Sequence, residues 1–313
     1  MESIKENILL KDHTTFRIGG PARYFLETSE KNELKSAIEW AIGKKISFLV
    51  IGGGSNILFS DKGFDGIVIA YKSSASEKKD LIEEKGEGIF KVDATMPFSS
   101  LIMEMKNYSG LEWAAGIPGT LGGAINGNSG AAGESMADSV LSVDVLEIKN
   151  GTVSEKVFSK DECRFGYRTS LFKNNPELVV VSAELKLSEG KEDAVREKIK
   201  DNLERRKAKQ PNGFSAGSVF KNYHGKIDDS VISSYPELKA FSDKGIIPAG
   251  LLIELCGLKG KTVGGAKISE EHANFIINFK NASSEDVIAL IGLVKKSVRE
   301  KFSVDLEEEI KIF

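Results

Sequence analysis

Glycine is unevenly spread along this chain of 313 residues: of its 31 glycines, many fall in three clusters, Gly52-Gly53-Gly54, Gly116 to Gly133 and Gly257 to Gly265. Scattered glycines mark turns. Clustered ones mark backbone that must approach something closely, because a residue without Cβ tolerates both the contact and unusual φ; a phosphate is a frequent object of such an approach. The first cluster follows the apolar run Ile46 to Ile51, so it leaves the end of a buried strand. The second lies in a glycine-rich stretch, Gly110 to Gly133, that carries Trp113, Ile117, Leu121 and Ile125, which a flexible linker would not. It reads as an ordered functional loop.

The remaining pattern predicts mixed helix and strand. Phe25 to Leu26 reads as the end of a strand, and Ser29 is placed to cap a helix with Leu34, Ala37, Ile38, Ala41 and Ile42 at helical spacing. With strands at Ile46 to Ile51 and Gly66 to Ala70, this is a β-α-β start with a glycine loop at a strand end. Lys72 to Gly88 is polar and reads as a surface connection. Ser99 to Lys106 suits a short helix. Leu141, Val143 and Val145 alternate with polar residues, and Asn150-Gly151 is a strong hairpin turn. Leu178 to Leu187 is a further strand. Glu192 to Lys209 predicts a helix with Val195, Ile199 and Leu203 on its core face, stopped by Pro211. Its basic end, Arg205, Arg206, Lys207 and Lys209, suits the helix dipole. Ala282 to Phe302 is the clearest helix, with Val287, Ile291, Val294 and Val298 on one face, and Val304 to Phe313 reads as the last strand.

Several function classes are disfavoured. At 41% hydrophobic and 28% charged residues with net charge −3, the chain reads as an ordinary soluble protein with no basic footprint for nucleic acid or an anionic membrane. No apolar run reaches the ~20 residues of a membrane helix, and Met1 to Glu6 lacks a signal-peptide core. Cys163 and Cys256 form no disulfide framework, so a cytoplasmic location is expected. His13, His224 and His272 are dispersed without zinc-ligand spacing, and no metal is expected. No Gly-x-Ser-x-Gly elbow occurs. Gly260-Lys261-Thr262 lacks the Walker glycine, having Leu255 in that place, and Gly52 to Ile57 is no Gly-x-Gly-x-x-Gly fingerprint.

What remains is a set of segments that agree in order and spacing with one family. They are Ile51-Gly52-Gly53-Gly54-Ser55-Asn56-Ile57; Gly116-Ile117-Pro118-Gly119-Thr120-Leu121-Gly122-Gly123-Ala124 on through Asn126, Gly130 and Gly133; Phe165-Gly166-Tyr167-Arg168-Thr169-Ser170; Lys209-Gln210-Pro211 followed by Ser215 to Asn222; Pro248 to Ile253; His272-Ala273-Asn274-Phe275; and Leu306-Glu307-Glu308-Glu309-Ile310. The chain resembles UDP-N-acetylenolpyruvoylglucosamine reductases, from about Thr15 to the end, and the single helix between Leu187 and Lys209 fits the shorter subclass. Ala132 stands where the family usually has Tyr, which implies altered packing near the cofactor.

The resemblance implies an α+β flavoprotein: a two-subdomain FAD-binding fold of the vanillyl-alcohol-oxidase type plus an α+β substrate domain. The expected division is 1–72 completed by 303–313, then 73–207, then 208–302. FAD, bound non-covalently, would be held by Ile51 to Ile57 and by Gly116, Ile117, Pro118, Gly119, Thr120, Gly122, Gly123, Ala124, Asn126, Gly130 and Gly133. NADPH would donate a hydride to flavin N5, which passes it to the enolpyruvyl group. Arg168 would steady the carboxylate, Ser218 would protonate the carbanion, and Glu309 would be the catalytic carboxylate. Glu308 in a strand would face away from its neighbours. Lys209 would meet the diphosphate of the UDP-sugar, and Tyr167, Asn222 and His272 would line the substrate. A monomer is expected, with UDP-N-acetylglucosamine enolpyruvate and NADPH as partners. A flavin oxidase of the same fold and a non-catalytic flavin or sugar-nucleotide binder are the alternatives.

Overall fold

The computed structural model describes residues 3–73 and 81–313. Two compact units share the chain: one formed by Met1–Ile8, Ala22–Gly53 and Phe64–Ala208, the other by Leu9–Pro21, Gly54–Gly63 and Lys209–Phe313.

The two larger sheets of the first unit have four and five strands. In the four-stranded sheet the order is Lys5–Leu9, Pro21–Thr28, Phe64–Tyr71, Ser47–Ile51, and the last three strands are parallel. Phe64–Tyr71 lies between the two strands of the β-α-β start and is buried from Gly66 onward, as a central parallel strand covered on both faces must be. The Lys31–Lys44 helix buries Leu34, Ala37, Ile38 and Ala41; Ile42 is half-buried. Ser29 is not its cap. The preceding strand runs on to Thr28, whose hydroxyl accepts the Glu30 N–H at 3.0 Å, and Glu30 takes the cap position without a side-chain bond.

The five-stranded sheet is antiparallel throughout, in the order Thr152–Ser159, Val140–Lys149, Leu178–Lys186, Ile89–Asp93, Ile82–Gly86. Asn150 and Gly151, at φ +52° and +77°, make the hairpin turn whose twist matches its strands. Of the polar stretch 72–88, residues 74–80 lie outside the described residues, and Ile82–Gly86 is a strand instead of a connection. Its exposed Glu83, Glu84 and Lys85 suit a sheet edge, where charge discourages further pairing. The short helix expected near 99–106 is Phe98–Glu104. The Glu192–Lys209 helix buries Val195 and Ile199, but Leu203 is 43% exposed. Its Cδ2 instead flanks Gly116, 3.1 Å from where a Cβ would stand.

The second unit packs its core around the Ser284–Phe302 helix, whose Val287, Ile291, Val294 and Val298 are buried. Each is worth about 1.5–3 kcal/mol relative to exposure. Ser283 and Asp286 form a capping box at its start, and Asp286 also accepts the Gly265 N–H at 3.0 Å. This accounts for part of the third glycine cluster: a Cβ at Gly264 would lie 2.1 Å from Asp286 Oδ1. A three-stranded antiparallel sheet, Thr262–Val263, Ala266–Ile268, Ile276–Asn278, completes this region. The expected last strand shrinks to Lys311–Ile312, parallel to Ile57–Leu58. Val304, Leu306 and Ile310 are buried, and ahead of residue 311 the segment pairs through an isolated antiparallel bridge, Glu308 with Phe220, so the alternation reflects core burial more than a continuous strand.

Candidate functional site

In the first unit the two glycine segments meet closely, Gly53 on the Gly119 backbone and Gly52 on the Thr120 side chain. A Cβ at Gly52 would lie 2.3 Å from Thr120 Oγ1, and one at Gly53 would lie 2.9 Å from the Gly119 Cα. Gly119, at φ +110°, takes a conformation that side chains resist. Thr120 starts the Leu121–Asn126 helix, and its hydroxyl accepts the Gly123 N–H at 3.3 Å. Gly122 packs on Ala94, to whose carbonyl it donates at 2.9 Å, and Ala124 points into the core. Gly116, Pro118 and Gly123 are exposed, while Ile51 is buried and Ile117 half-buried.

The Arg168 segment is laced to the far end of the second glycine run. Asn128, buried, donates from Nδ2 to the Gly166 carbonyl at 2.8 Å and accepts the Ala137 N–H at 3.0 Å. Ser170 Oγ donates to the Asn126 carbonyl at 2.7 Å. Arg168 Nη2 donates to the Gly130 carbonyl at 2.7 Å, and its guanidinium lies 5.5 Å from the exposed Tyr167 ring. Arg168 itself is left-handed, at φ +55°; strain of this kind tends to sit where a side chain must be aimed. Gly130–Ala131 pairs with Glu134–Ser135 across a turn at Ala132 and Gly133, φ +56° and +93°. Asn128 is not singled out by the sequence; its only signal is an Asn inside a glycine-rich run.

In the second unit, Ser218, Asn222, His272 and Glu309 belong to segments bonded to one another. Ser218 is half-buried and forms a bridge with Phe275. Val219 donates to the Asn274 carbonyl at 2.8 Å and accepts the Glu309 N–H at 2.7 Å. Glu309 is half-buried and its carbonyl accepts from Asn56 Nδ2 at 3.2 Å. Its two acidic neighbours go elsewhere: Glu307 pairs with Lys221, and Glu308 with Lys295 at 2.8 Å. Asn222 Oδ1 accepts the Ala249 N–H at 3.3 Å. His272 stacks edge-on against Phe275 at 4.9 Å and rests on Gly250, where a Cβ would be 3.3 Å from its Cε1. Burial, with Lys259 and Lys209 adding to it, pushes the His272 pKa below its ordinary value. Its Nδ1 accepts the Asn274 N–H at 3.2 Å, so the neutral ring carries its proton on Nε2. Lys209 is exposed. Gly54 is packed against His13 and Thr14, its would-be Cβ 2.2 Å from the His13 carbonyl oxygen; Ser55 and Ile57 are half-buried. Asn274, buried among these segments, has no assigned role in the sequence pattern although the structure makes it their common tie.

Among the described residues no group of three or more His, Cys, Asp or Glu side chains is placed to hold a metal ion, and no helix is long and apolar enough to cross a membrane. The bare backbone of Gly52, Gly53 and Gly119 does fit a dinucleotide, whose phosphates need main-chain approach with no side chain in front of it. Adding a methyl group at Gly52 or Gly53 has no room without displacing the other loop.

Comparison with known proteins agrees with this geometry. Residues 22–155 match the profile of an FAD binding domain, and residues 209–313 match the C-terminal domain of UDP-N-acetylenolpyruvoylglucosamine reductase. The enzyme of that name from Caldanaerobacter subterraneus subsp. tengcongensis is 38% identical over 304 residues, covering 97% of this chain and 91% of the relative. The one from Clostridioides difficile is 37% identical, covering 99% and 93%. A crystal structure of the Thermus caldophilus reductase superimposes with a TM-score of 0.76 at 33% identity, covering 99% of both chains. The expected fold class, an FAD-binding portion followed by an α+β C-terminal domain, is thereby borne out.

Proposed function

The chain belongs to the UDP-N-acetylenolpyruvoylglucosamine reductase family, and on that premise we propose the residues that perform its reaction, the reduction of UDP-N-acetylglucosamine enolpyruvate to UDP-N-acetylmuramate in peptidoglycan precursor synthesis. The observation that supports the proposal most is the close approach of Gly53 to the Gly119 backbone and of Gly52 to the Thr120 hydroxyl, with no room for a Cβ at either glycine. FAD, when bound, supplies the hydride chemistry, taking a hydride from NADPH and delivering it to the vinyl carbon. Ile51 to Ile57 and the Gly116–Gly133 residues named above hold it non-covalently.

Reduction of the vinyl group leaves negative charge on the carbon next to the carboxylate. Arg168, fixed by its bond to Gly130, offers a planar fork to that carboxylate and stabilises the charge as it spreads there. Ser218 Oγ gives its proton to the carbanionic carbon. Its backbone is held through Val219 and Phe275, which keeps the donor oriented for the transfer. Glu309, fixed through its backbone on both sides, hydrogen-bonds the developing enolic carboxylate. Lys209 meets the substrate diphosphate, and Tyr167, Asn222 and His272 contact the sugar nucleotide. The division into 1–72 with 303–313, 73–207 and 208–302 is proposed as the functional one, supported by the separate four-stranded and five-stranded sheets. The proposed enzyme is a cytoplasmic monomer, and the net charge of −3 supports its engaging neither nucleic acid nor an anionic membrane.

An anaerobic flavin spectrum tests the reaction. NADPH is added first, then the enolpyruvyl sugar nucleotide. Bleaching of the yellow band followed by its return on the second addition is expected. Return only with oxygen replaces the reductase by an oxidase.

A further inference from the structure

Tyr167 and Arg168 form the tip of a tight turn: Gly166 and Thr169 exchange both backbone hydrogen bonds, at 3.0 and 3.2 Å. Of the two tip residues only Arg168 has a positive φ, +55°. A positive φ at the second tip residue ordinarily calls for glycine or asparagine, which reach the left-handed region with little strain. Arginine is strained there, and such a conformation persists only where its surroundings over-determine it. The ends of the turn are fixed first. Asn128 Nδ2 holds the Gly166 carbonyl at 2.8 Å, and Ser170 Oγ is anchored on the Asn126 carbonyl at 2.7 Å.

The tip is held by a residue outside the turn. Lys173 lies in the last turn of the short helix Leu171–Asn174, where a lysine commonly meets the last carbonyls of its own helix. Its half-buried side chain turns back instead, and Nζ donates to the Arg168 carbonyl at 2.9 Å. Holding that carbonyl fixes ψ of Arg168, because rotation about the Cα–C bond would carry the oxygen away from the ammonium. A bond from a charged donor is among the stronger ones. Arg168 is thus held at both ends, its carbonyl by Lys173 and its Nη2 by the Gly130 carbonyl at 2.7 Å. We propose that Lys173 is a positioning residue for the reaction: its bond locks the left-handed backbone of Arg168 and so aims the guanidinium at the substrate carboxylate. This inference rests on the role given to Arg168 above. Lys173 acts wholly through Arg168, so only the half-reaction that uses Arg168 depends on it.

The test uses full-length protein loaded with FAD, comparing wild type, Lys173→Met, Lys173→Arg, Arg168→Met and the double variant Arg168→Met with Lys173→Met. Reduction of the flavin by NADPH and its reoxidation by the enolpyruvyl sugar nucleotide are followed separately without oxygen. Lys173→Met is expected to take up FAD and to be reduced as wild type is, but to reoxidise about tenfold more slowly or worse, the order expected when a group is slightly misplaced. Lys173→Arg, which keeps a cationic donor, is expected to recover most of that rate. In the Arg168→Met background the second substitution is expected to cost nothing further, since an effect transmitted through Arg168 vanishes with it. Losses that multiply in the double variant overturn the proposal, because Lys173 would then act on the substrate itself. Equal slowing of both half-reactions in Lys173→Met, or loss of FAD uptake, overturns it too, the bond then serving the fold at large. Reoxidation of Lys173→Met at the wild-type rate overturns it directly. If Arg168→Met itself reoxidises as wild type does, the carboxylate role of Arg168 is what falls.

Discussion

Asn274 and Phe220 are hydrogen-bonded to each other twice: Asn274 Nδ2 donates to the Phe220 carbonyl at 2.8 Å, and its Oδ1 accepts the Phe220 N–H at 3.0 Å. The side-chain amide thereby substitutes for a neighbouring strand and fixes the backbone immediately after Ser218. Both residues are buried, Asn274 at 4% exposure. Truncation to alanine leaves two buried backbone groups unsatisfied, each costing about 1–3 kcal/mol. Asn274→Ala should therefore lower unfolding stability by at least about 2 kcal/mol in a urea titration. An unchanged midpoint would show that water replaces the amide without loss.

The contact between the glycine segments makes a prediction about cofactor binding. Gly52→Ala places a methyl group 2.3 Å from Thr120 Oγ1, while the next Thr120 atoms are 3.3 Å away. The single substitution should weaken FAD binding by about tenfold or more, the order expected when a backbone site is displaced by a fraction of an ångström. Gly52→Ala combined with Thr120→Ala should recover part of the loss, because the hydroxyl that clashes is gone. Titration of apoprotein with FAD measures both; additive losses in the double variant would contradict the contact.

Ser218→Ala separates the two halves of the reaction. Reduction of bound FAD by NADPH should proceed at the wild-type rate. Reoxidation by the enolpyruvyl substrate should slow by roughly 10²–10⁴, the usual worth of a positioned proton donor. Stopped-flow traces of each half settle it, and equal slowing of both would remove Ser218 from the protonation step.

His272 carries a pH signature. Burial sets its folded pKa below the ordinary 6.5. As pH falls through that ordinary value the unfolded chain takes up a proton that the folded chain still refuses, so the unfolded state is favoured. Stability contributed by the neutral ring is present above 6.5 and is lost as pH falls toward the folded value. Thermal midpoints recorded from about pH 8 to about pH 5.5 should decline more steeply for wild type than for His272→Gln. Parallel curves would mean that the ring is accessible to protons when folded.

Much of this molecule is legible without coordinates because the relevant signals are local. The face Val287, Ile291, Val294 and Val298 is a helical period, and all four are buried. Asn150-Gly151 is a turn because its φ values favour those two residue types. The agreement of segments in order and spacing marks the family, and its implied catalytic residues are named by position alone. Local pattern misleads where a partner lies far off in sequence. Ser29 loses its cap role to a strand that ends one residue before it, and Leu203 follows the period of its helix yet lies at the surface beside Gly116. Val304 to Ile310 alternates as a strand does, although what it alternates against is a core.

Sequence by itself determined the mixed architecture, the helices with a clear apolar face, the glycine segments and the family. Tertiary structure alone decided why the bases of those segments need glycine: Gly52 and Gly53 meet Thr120 and Gly119, and Gly264 meets the cap of a helix. It also decided that Asn274 ties the Phe220 backbone, two residues past Ser218, from 54 residues away and that Arg206 turns from a helix end onto Gly116. The physical reason is the same in each case. Periodicity, turn chemistry and composition act between residues close along the chain, whereas hydrogen-bond partners and atomic clearances are set by residues that only the completed fold brings together.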